Sequence, residues 1–172
     1  MPDPLPDGAR TYRAANPGHR AVRLLMTLRP VSRATPLVLP HLDSLVSWST
    51  RGRHTFASLM SGMTAAELTT RGSHSGRPRM VRLLGFPADD GFVVIASNYG
   101  RARHPAWYYN LLAHPQAELL VHGRSRAVTA ELTTGQRRTR LWERSLTFYP
   151  GWAHYQQWQE NREIGVFLLR EP

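Results

Sequence analysis

After Gly62 the chain is cut by turn-forming residues at short intervals, which restricts it to short strands joined by tight connections. Residues 79–86 and 92–97 flank Pro87-Ala88-Asp89-Asp90-Gly91, a linker rich in turn formers and suited to a hairpin. Residues 117–122 and 126–132 flank Gly123-Arg124-Ser125 in the same way. A short strand over 65–70 precedes them, and a sixth over 164–170 closes the chain. The stretches between read as helices: 105–113, with proline in its first turn, 135–146 and 153–161. About six short, mainly antiparallel strands with flanking helices make an α+β domain, and a small barrel with helices across its ends fits that order.

The N-terminal part has a different texture. Residues 1–18 carry four prolines and two aspartates without apolar periodicity and read as a mobile tail. Over 19–29, Val22, Leu24, Leu25, Met26 and Leu28 mix with Arg20, Arg23 and Arg29 until Pro30 stops the segment. Such a short basic helix can touch an acidic membrane surface, although docking on its own domain suits its length better. A second helix is expected over 42–48, followed by Gly52, with Phe56, Leu59 and Met60 continuing the packing. The expected organisation is a tail and basic helix over 1–40 and one domain over 41–172.

Composition removes several chemistries. All 22 basic residues are Arg, against 12 acidic ones, for a formal charge of +10. Without Lys there is no Schiff base and no phosphate-loop lysine. Without Cys there is no thiolate nucleophile, disulfide or sulfur-bound metal. The eight His show no HxH or HExxH spacing, so no metal site is nominated. Asp89-Asp90-Gly91 is better explained as a turn than as an acid pair. A positive field attracts anions, but the Arg137-Arg138-Arg140 cluster has no aromatic before Trp142, so nucleic acid is not the expected partner. No leader and no membrane-spanning run is apparent, which makes the cytoplasm the expected location, with membrane association open through the basic segment.

Four segments carry the remaining chemistry. Gly72-Ser73-His74-Ser75-Gly76 places polar side chains between two glycines, with Arg71, Arg77 and Arg79 beside them. It is no nucleophile elbow, since His stands where that turn needs Ser. A main-chain anion cradle and a solvated hairpin turn are equally compatible with it. Ala96-Ser97-Asn98-Tyr99-Gly100 ends an apolar strand in small and polar residues against which a ring could lie, followed by Arg101 and Arg103. His104-Pro105-Ala106-Trp107-Tyr108-Tyr109-Asn110 opens an aromatic-rich helix. Tyr149, Trp152 and Tyr155 recur at spacings of three and would share a face if the segment were helical throughout, although Pro150 and Gly151 favour a helix start there.

In this order the segments resemble the actinobacterial deazaflavin-dependent nitroreductase family, whose cofactor is coenzyme F420, a deazaflavin with a phosphate and an oligoglutamate tail. The resemblance rests on Leu68-Thr69-Thr70-Arg71-Gly72-Ser73-His74-Ser75-Gly76-Arg77-Pro78-Arg79, Ala96-Ser97-Asn98, His104-Pro105-Ala106-Trp107-Tyr108, Asn110-Leu111 with Pro115, and Tyr149-Pro150 through Tyr155-Gln156. It covers roughly residues 50–170 and leaves the first 40 outside. It implies a split β-barrel related to FMN-binding oxidases. Ser73, His74, Ser75 and Arg79 would hold the phosphate and acidic tail. Met80, Val81, Arg82, Leu83 and Leu84, with Ile95, Ala96, Ser97 and Asn98, would line the deazaflavin. Ala106, Trp107, Tyr108, Tyr109 and Asn110 would meet the phosphate or ribityl chain from a helix N-terminus. Tyr149, Trp152 and Tyr155 would form the substrate side.

The implied activity is hydride transfer from reduced coenzyme F420 to a small-molecule acceptor, namely a quinone, nitroaromatic or activated alkene. Ser97 and Tyr149 are candidate proton sources. FMN binding on the same fold, or cofactor binding without catalysis, are the alternatives. Two positions depart from the family: His74 stands where Arg or Lys is common, and Trp152 replaces a Tyr found in some relatives. Arg82 could compensate for His74, but strand alternation puts it opposite Arg79, so both reach one anion only through a bulge. Of the 22 Arg, only Arg71, Arg77, Arg79, Arg82, Arg101 and Arg103 lie near the implied cradle in sequence.

Overall fold

Phe92-Val93-Val94-Ile95 and Val166-Phe167-Leu168-Leu169 are apolar runs without alternation, so strands built on them need cover on both faces. The structure, a computed structural model that describes residues 11–25, 27–28, 30–31, 64–88, 90–159 and 161–172, provides it. The strands are β1 (Thr64–Arg71), β2 (Pro78–Ala88), β3 (Gly91–Ile95), β4 (Gln116–Val121), β5 (Arg124–Leu132) and β6 (Val166–Arg170). They close a barrel in the order β1-β2-β3-β6-β5-β4, every neighbouring pair antiparallel. The helices are α1 (Pro17–Leu25), α2 (Ala106–Ala113), α3 (Gly135–Phe148) and α4 (Gly151–Gln157). The expected α+β barrel is the fold observed.

Side chains from alternate positions fill two cores. Phe92, Val94, Phe167 and Leu169 point into the barrel with Leu68, Leu119 and Val128. Their neighbours Val93, Ile95, Val166 and Leu168 face outward and pack with Phe148, Trp152 and Tyr155 of the α3–α4 region. Phe86 stacks on Phe148 with ring centroids 4.7 Å apart. Burying each such side chain contributes about 1.5–3 kcal/mol. β1 has a core on one face only and alternates accordingly, with Ala66 and Leu68 buried and Glu67 and Thr69 partly exposed.

Several boundaries differ from expectation for local reasons. Residues 11–18, expected in a mobile tail, are ordered against the domain: Tyr12 N–H donates to the Thr147 carbonyl at 2.6 Å, and Ala15 is buried. α1 starts at Pro17 because Asn16 caps it, its Oδ1 accepting from His19 N–H at 2.7 Å. The helix docks through an arginine: buried Arg23 donates from Nη1 to the Phe148 carbonyl at 2.6 Å, while Leu24, Leu25 and Leu28 are exposed. In the first hairpin Ala88 already pairs with Gly91, so the strands approach the turn more closely than expected. In the second, Val121 pairs with Arg124, which moves the turn to His122-Gly123 with φ of 51° and 79°. That is a two-residue turn of the kind right-twisted strands favour. α4 ends at Gln157, short of 161, and β6 starts at Val166 because Ile164 N–H donates to Gln156 Oε1 instead of a strand partner. The helix expected over 42–48, the residues Phe56, Leu59 and Met60, and the 40/41 boundary lie outside the described residues. No helix among the described residues is long and apolar enough to cross a membrane.

Candidate cofactor and substrate site

The loop joining β1 to β2 turns on two glycines. Gly76, at φ 65°, donates its N–H to the Gly72 carbonyl at 2.8 Å, and Gly72 N–H donates to the Arg77 carbonyl at 2.9 Å. A side chain at Gly72 would meet Ser75 Oγ at 2.6 Å. The loop is fastened to α2 by one buried amide: Asn110 Oδ1 accepts from Ser73 N–H at 2.9 Å, and its Nδ2 donates to Thr70 Oγ1 at 3.0 Å. Thr70 in turn donates to the Arg79 carbonyl at 3.2 Å. With Arg77 N–H directed at Ser75 Oγ, at 3.4 Å, the amides of Gly72, Gly76 and Arg77 serve the loop itself, and that of Ser73 serves Asn110 on α2. The loop adds the side chains of Ser73, His74 and Ser75 to the cavity lining.

A second loop connects β3 to α2. Asn98, Tyr99 and Gly100 hold φ of 48°, 55° and 72°, a left-handed run that persists only where partners over-determine it. Asn98 Nδ2 donates to the Arg103 carbonyl at 2.8 Å, and Gln159 donates to the Gly100 carbonyl. Arg162, between α4 and β6, donates to the carbonyls of Ser97 and Arg101, each at 2.8 Å, and of Ala96 at 3.3 Å. It also meets His104 Nδ1 at 3.2 Å. Arginine has no acceptor, so Nδ1 is the bare nitrogen of His104 and the proton sits on Nε2. Burial, and then the Arg162 charge, hold the His104 pKa below its ordinary value.

The third wall is aromatic. Tyr149 follows α3, Pro150 breaks the helix, and Trp152 and Tyr155 sit on α4, so the three do not share one continuous helix. Their rings still converge, with Tyr149 5.4 Å from Trp152 and 5.9 Å from Tyr155, and the two phenol oxygens 3.0 Å apart. Burial pushes both phenols up, Tyr155 to about 12 and Tyr149 further, so both are protonated near neutrality.

These walls enclose a cavity of about 1010 Å³. It brings together Ser73, His74, Ser75, Arg79, the β2 run Met80, Val81, Arg82, Leu83 and Leu84, then Ile95, Ser97 and Asn98, then Ala106, Trp107, Tyr109 and Asn110, and finally Tyr149, Trp152 and Tyr155. Two nominated residues fall elsewhere. Ala96, one strand position past Ile95, turns into the barrel core, and Tyr108 stacks on His104 at 3.8 Å and packs on Phe167. Thr70, Tyr99, His104 and Pro105 line the cavity without having been nominated, as does Arg23 from α1. The β1–β2 register runs without a bulge, and Arg82 Nε pairs with Glu67 across it at 2.8 Å. Arg79 and Arg82 both line the cavity, their backbone positions three residues and about 10 Å apart along the strand. The Ser97 hydroxyl makes no cap bond to the turn it precedes. Among the described residues no group of His, Asp and Glu is placed to hold a metal ion.

The model of the F420H(2)-dependent quinone reductase family matches residues 46–171. The chain belongs to that family. It is one of oxidoreductases that use coenzyme F420. A Mycobacterium tuberculosis protein named for F420H(2)-dependent quinone reduction is 33% identical over 103 residues, covering 60% of this chain and 86% of that one. A second from the same organism, an F420H(2)-dependent quinone reductase, is 36% identical over 64 residues, or 37% of this chain and 43% of that one. Among solved structures, an F420-H2 dependent reductase aligns at TM-score 0.57 and 30% identity, covering 62% of this chain and 93% of that one. A domain-swapped dimer aligns at TM-score 0.60 and 27% identity, covering 79% and 98%.

The residues present fit the family's cofactor. A cavity of about 1010 Å³ is ample for a large ligand. Its lining includes Arg79, His74 and two serines, donors for an anionic chain, and apolar side chains of β2 and β3 that suit a flat ring.

Proposed function

We propose that the chain reduces quinones with coenzyme F420, the cofactor lying between the serine and arginine donors and the aromatic wall. The observation that carries this reading is that one cavity joins the donors Ser73, His74, Ser75 and Arg79 to a buried phenol pair whose oxygens lie 3.0 Å apart. The bound cofactor supplies a hydride. Ser73, Ser75, His74 and Arg79 hold its phosphate and acidic tail, and Ala106 offers the N-terminal turn of α2 to the same anion. Val81, Leu83, Leu84 and Ile95 would exclude water from the ring, and Met80, Ser97 and Asn98 would complete the lining around it. Asn110 acts through Ser73 and Thr70, to which its amide is bonded.

In the aromatic wall Trp152 and Tyr155 form a stacking surface, and the Tyr149–Tyr155 pair donates a hydrogen bond to an acceptor oxygen as negative charge develops on it. Phenols whose pKa lies above the ordinary value polarise such an oxygen without ionising. The final proton then comes from water rather than from Tyr149. Quinones and nitroaromatics both present a suitable oxygen, and turnover of each class, beside an activated alkene, separates them.

The test is a fluorescence titration of the protein with oxidised coenzyme F420 beside FMN, followed by turnover of menadione with the reduced cofactor. Micromolar binding of coenzyme F420 and reduction of menadione are expected. Binding of FMN with none of coenzyme F420 would overturn the reading, and binding without turnover would leave a cofactor carrier.

A further inference from the structure

The cavity wall contributed by residues 97–104 is held from outside the cavity by two side chains, Gln159 at the Gly100 carbonyl and Arg162 at both ends of the loop. Arg162 lines no part of the cavity, yet its guanidinium reaches the carbonyls of Ala96, Ser97 and Arg101 and the Nδ1 of His104. Both ends of the loop are therefore tied to one rigid plane: the strand end at Ala96-Ser97 and the entrance to α2 at His104. Arg162 is itself fixed, since its carbonyl accepts from Gln156 Nε2 at 2.9 Å, and Gln156 Oε1 accepts from Ile164 N–H at 2.7 Å. Between the tied ends lie the left-handed residues Asn98, Tyr99 and Gly100, outside any strand or α-helix, with the Gly100 carbonyl taken by Gln159. None of residues 97–104 belongs to either hydrophobic core, whereas Ser97, Asn98, Tyr99 and His104 all line the cavity. The guanidinium thus fixes the shape of the wall more than it supports the barrel.

We propose that Arg162 is a positioning residue for cofactor binding, acting through the backbone of the β3–α2 loop. The proposal rests on the cavity being the coenzyme F420 site. It depends on geometry as well as charge: the planar fork serves several carbonyls and an imidazole nitrogen at once, which the single ammonium of lysine cannot do. Both Arg162→Ala and Arg162→Lys are expected to loosen the loop, with lysine restoring little.

Four measurements test this: coenzyme F420 affinity by fluorescence, menadione KM, the denaturant midpoint, and amide exchange over residues 97–104 in the protein without cofactor. Expected are a rise in cofactor Kd of about tenfold to a hundredfold in both variants, a menadione KM within about threefold of the wild type, and faster exchange confined to that loop. Millimolar guanidinium should recover affinity in Arg162→Ala and leave the wild type unchanged, a rescue that general destabilisation does not show. Faster loop exchange with unchanged Kd would overturn the proposal while leaving the cofactor site intact. So would a Kd that rises only in step with loss of the folded fraction. If Arg162→Ala does not fold, Arg162→Lys, which keeps the charge, carries the same comparison. A wild-type protein that fails to bind coenzyme F420 would overturn the site assignment, and this proposal with it.

Discussion

Replacing Asn110 by alanine separates a residue that holds the site together from one that touches the cofactor. Its amide is buried, accepts from Ser73 N–H at 2.9 Å and donates to Thr70 Oγ1 at 3.0 Å. Alanine removes both bonds at once. Each is worth about 1 kcal/mol net, and a buried group left without its partner costs about 1–3 kcal/mol. Thr70 is buried but still donates to the Arg79 carbonyl, and Ser73 is half-buried, where water replaces part of the loss. The expected destabilisation is about 2–4 kcal/mol, a fall in Tm of about 4–16 °C for a domain of this size. Because Ser73 is released, coenzyme F420 affinity should fall as well. Urea denaturation and a fluorescence titration on the same preparation measure both quantities. If stability is retained within about 0.5 kcal/mol while affinity falls, Asn110 is a direct cofactor contact and the positioning argument is wrong.

Other outcomes follow from single contacts. Tyr149→Phe removes one hydroxyl of a buried pair and should cost about 1–3 kcal/mol in unfolding free energy; it should also lower menadione turnover while leaving the cofactor Kd unchanged. Gly151→Ala sets a methyl 2.2 Å from Tyr149 Cζ at the first residue of α4, so a fall in the urea midpoint is expected and a rise would show the ring can move. Burial and the Arg162 charge lower the His104 pKa, so the folded state binds this proton less readily than the unfolded chain, whose His titrates near about 6.5. The stability it supplies is complete above that value and is lost as pH falls below it toward the folded pKa; urea melts across this range should show the slope, and His104→Asn should flatten it.

Much of the fold can be read from residue order because strand burial leaves a direct trace. Where one face is buried, as in β1, apolar residues alternate; where both are, as in β3 and β6, they run on. Turn positions leave a weaker trace. Gly123-Arg124-Ser125 looks like a loop, but strand pairing extends until His122 takes φ 51°, a conformation histidine composition does not announce. The start of α1 was legible in Asn16-Pro17, a capping pair hidden among the prolines of a stretch that reads as tail. Nominated site residues mostly reach one cavity because they lie on β2 and at the two ends of the β3–α2 connection. Ala96 and Tyr108 miss it because one step along a strand or helix re-aims a side chain.

Arg162 and Arg23 illustrate what residue order hides. Each is directed at backbone carbonyls, and a carbonyl is the same at every position, so no complementary residue in the sequence marks the partner. Arg82, by contrast, has a partner with identity, Glu67 on the neighbouring strand, but the pairing appears only once the β1–β2 register is known. The net charge of +10 suggested a cationic cradle built from the Arg nearest the Gly72–Gly76 loop in sequence. In the fold, Arg79 and Arg82 line the cavity, Arg82 while paired with Glu67 across the sheet, and Arg101 and Arg103 lie exposed and outside the cavity lining. Two arginines distant in sequence, at 23 and 162, are bound to backbone around the same cavity. Charge count therefore measures the field around this protein, whereas the shape of its site depends on where planar donors meet the main chain.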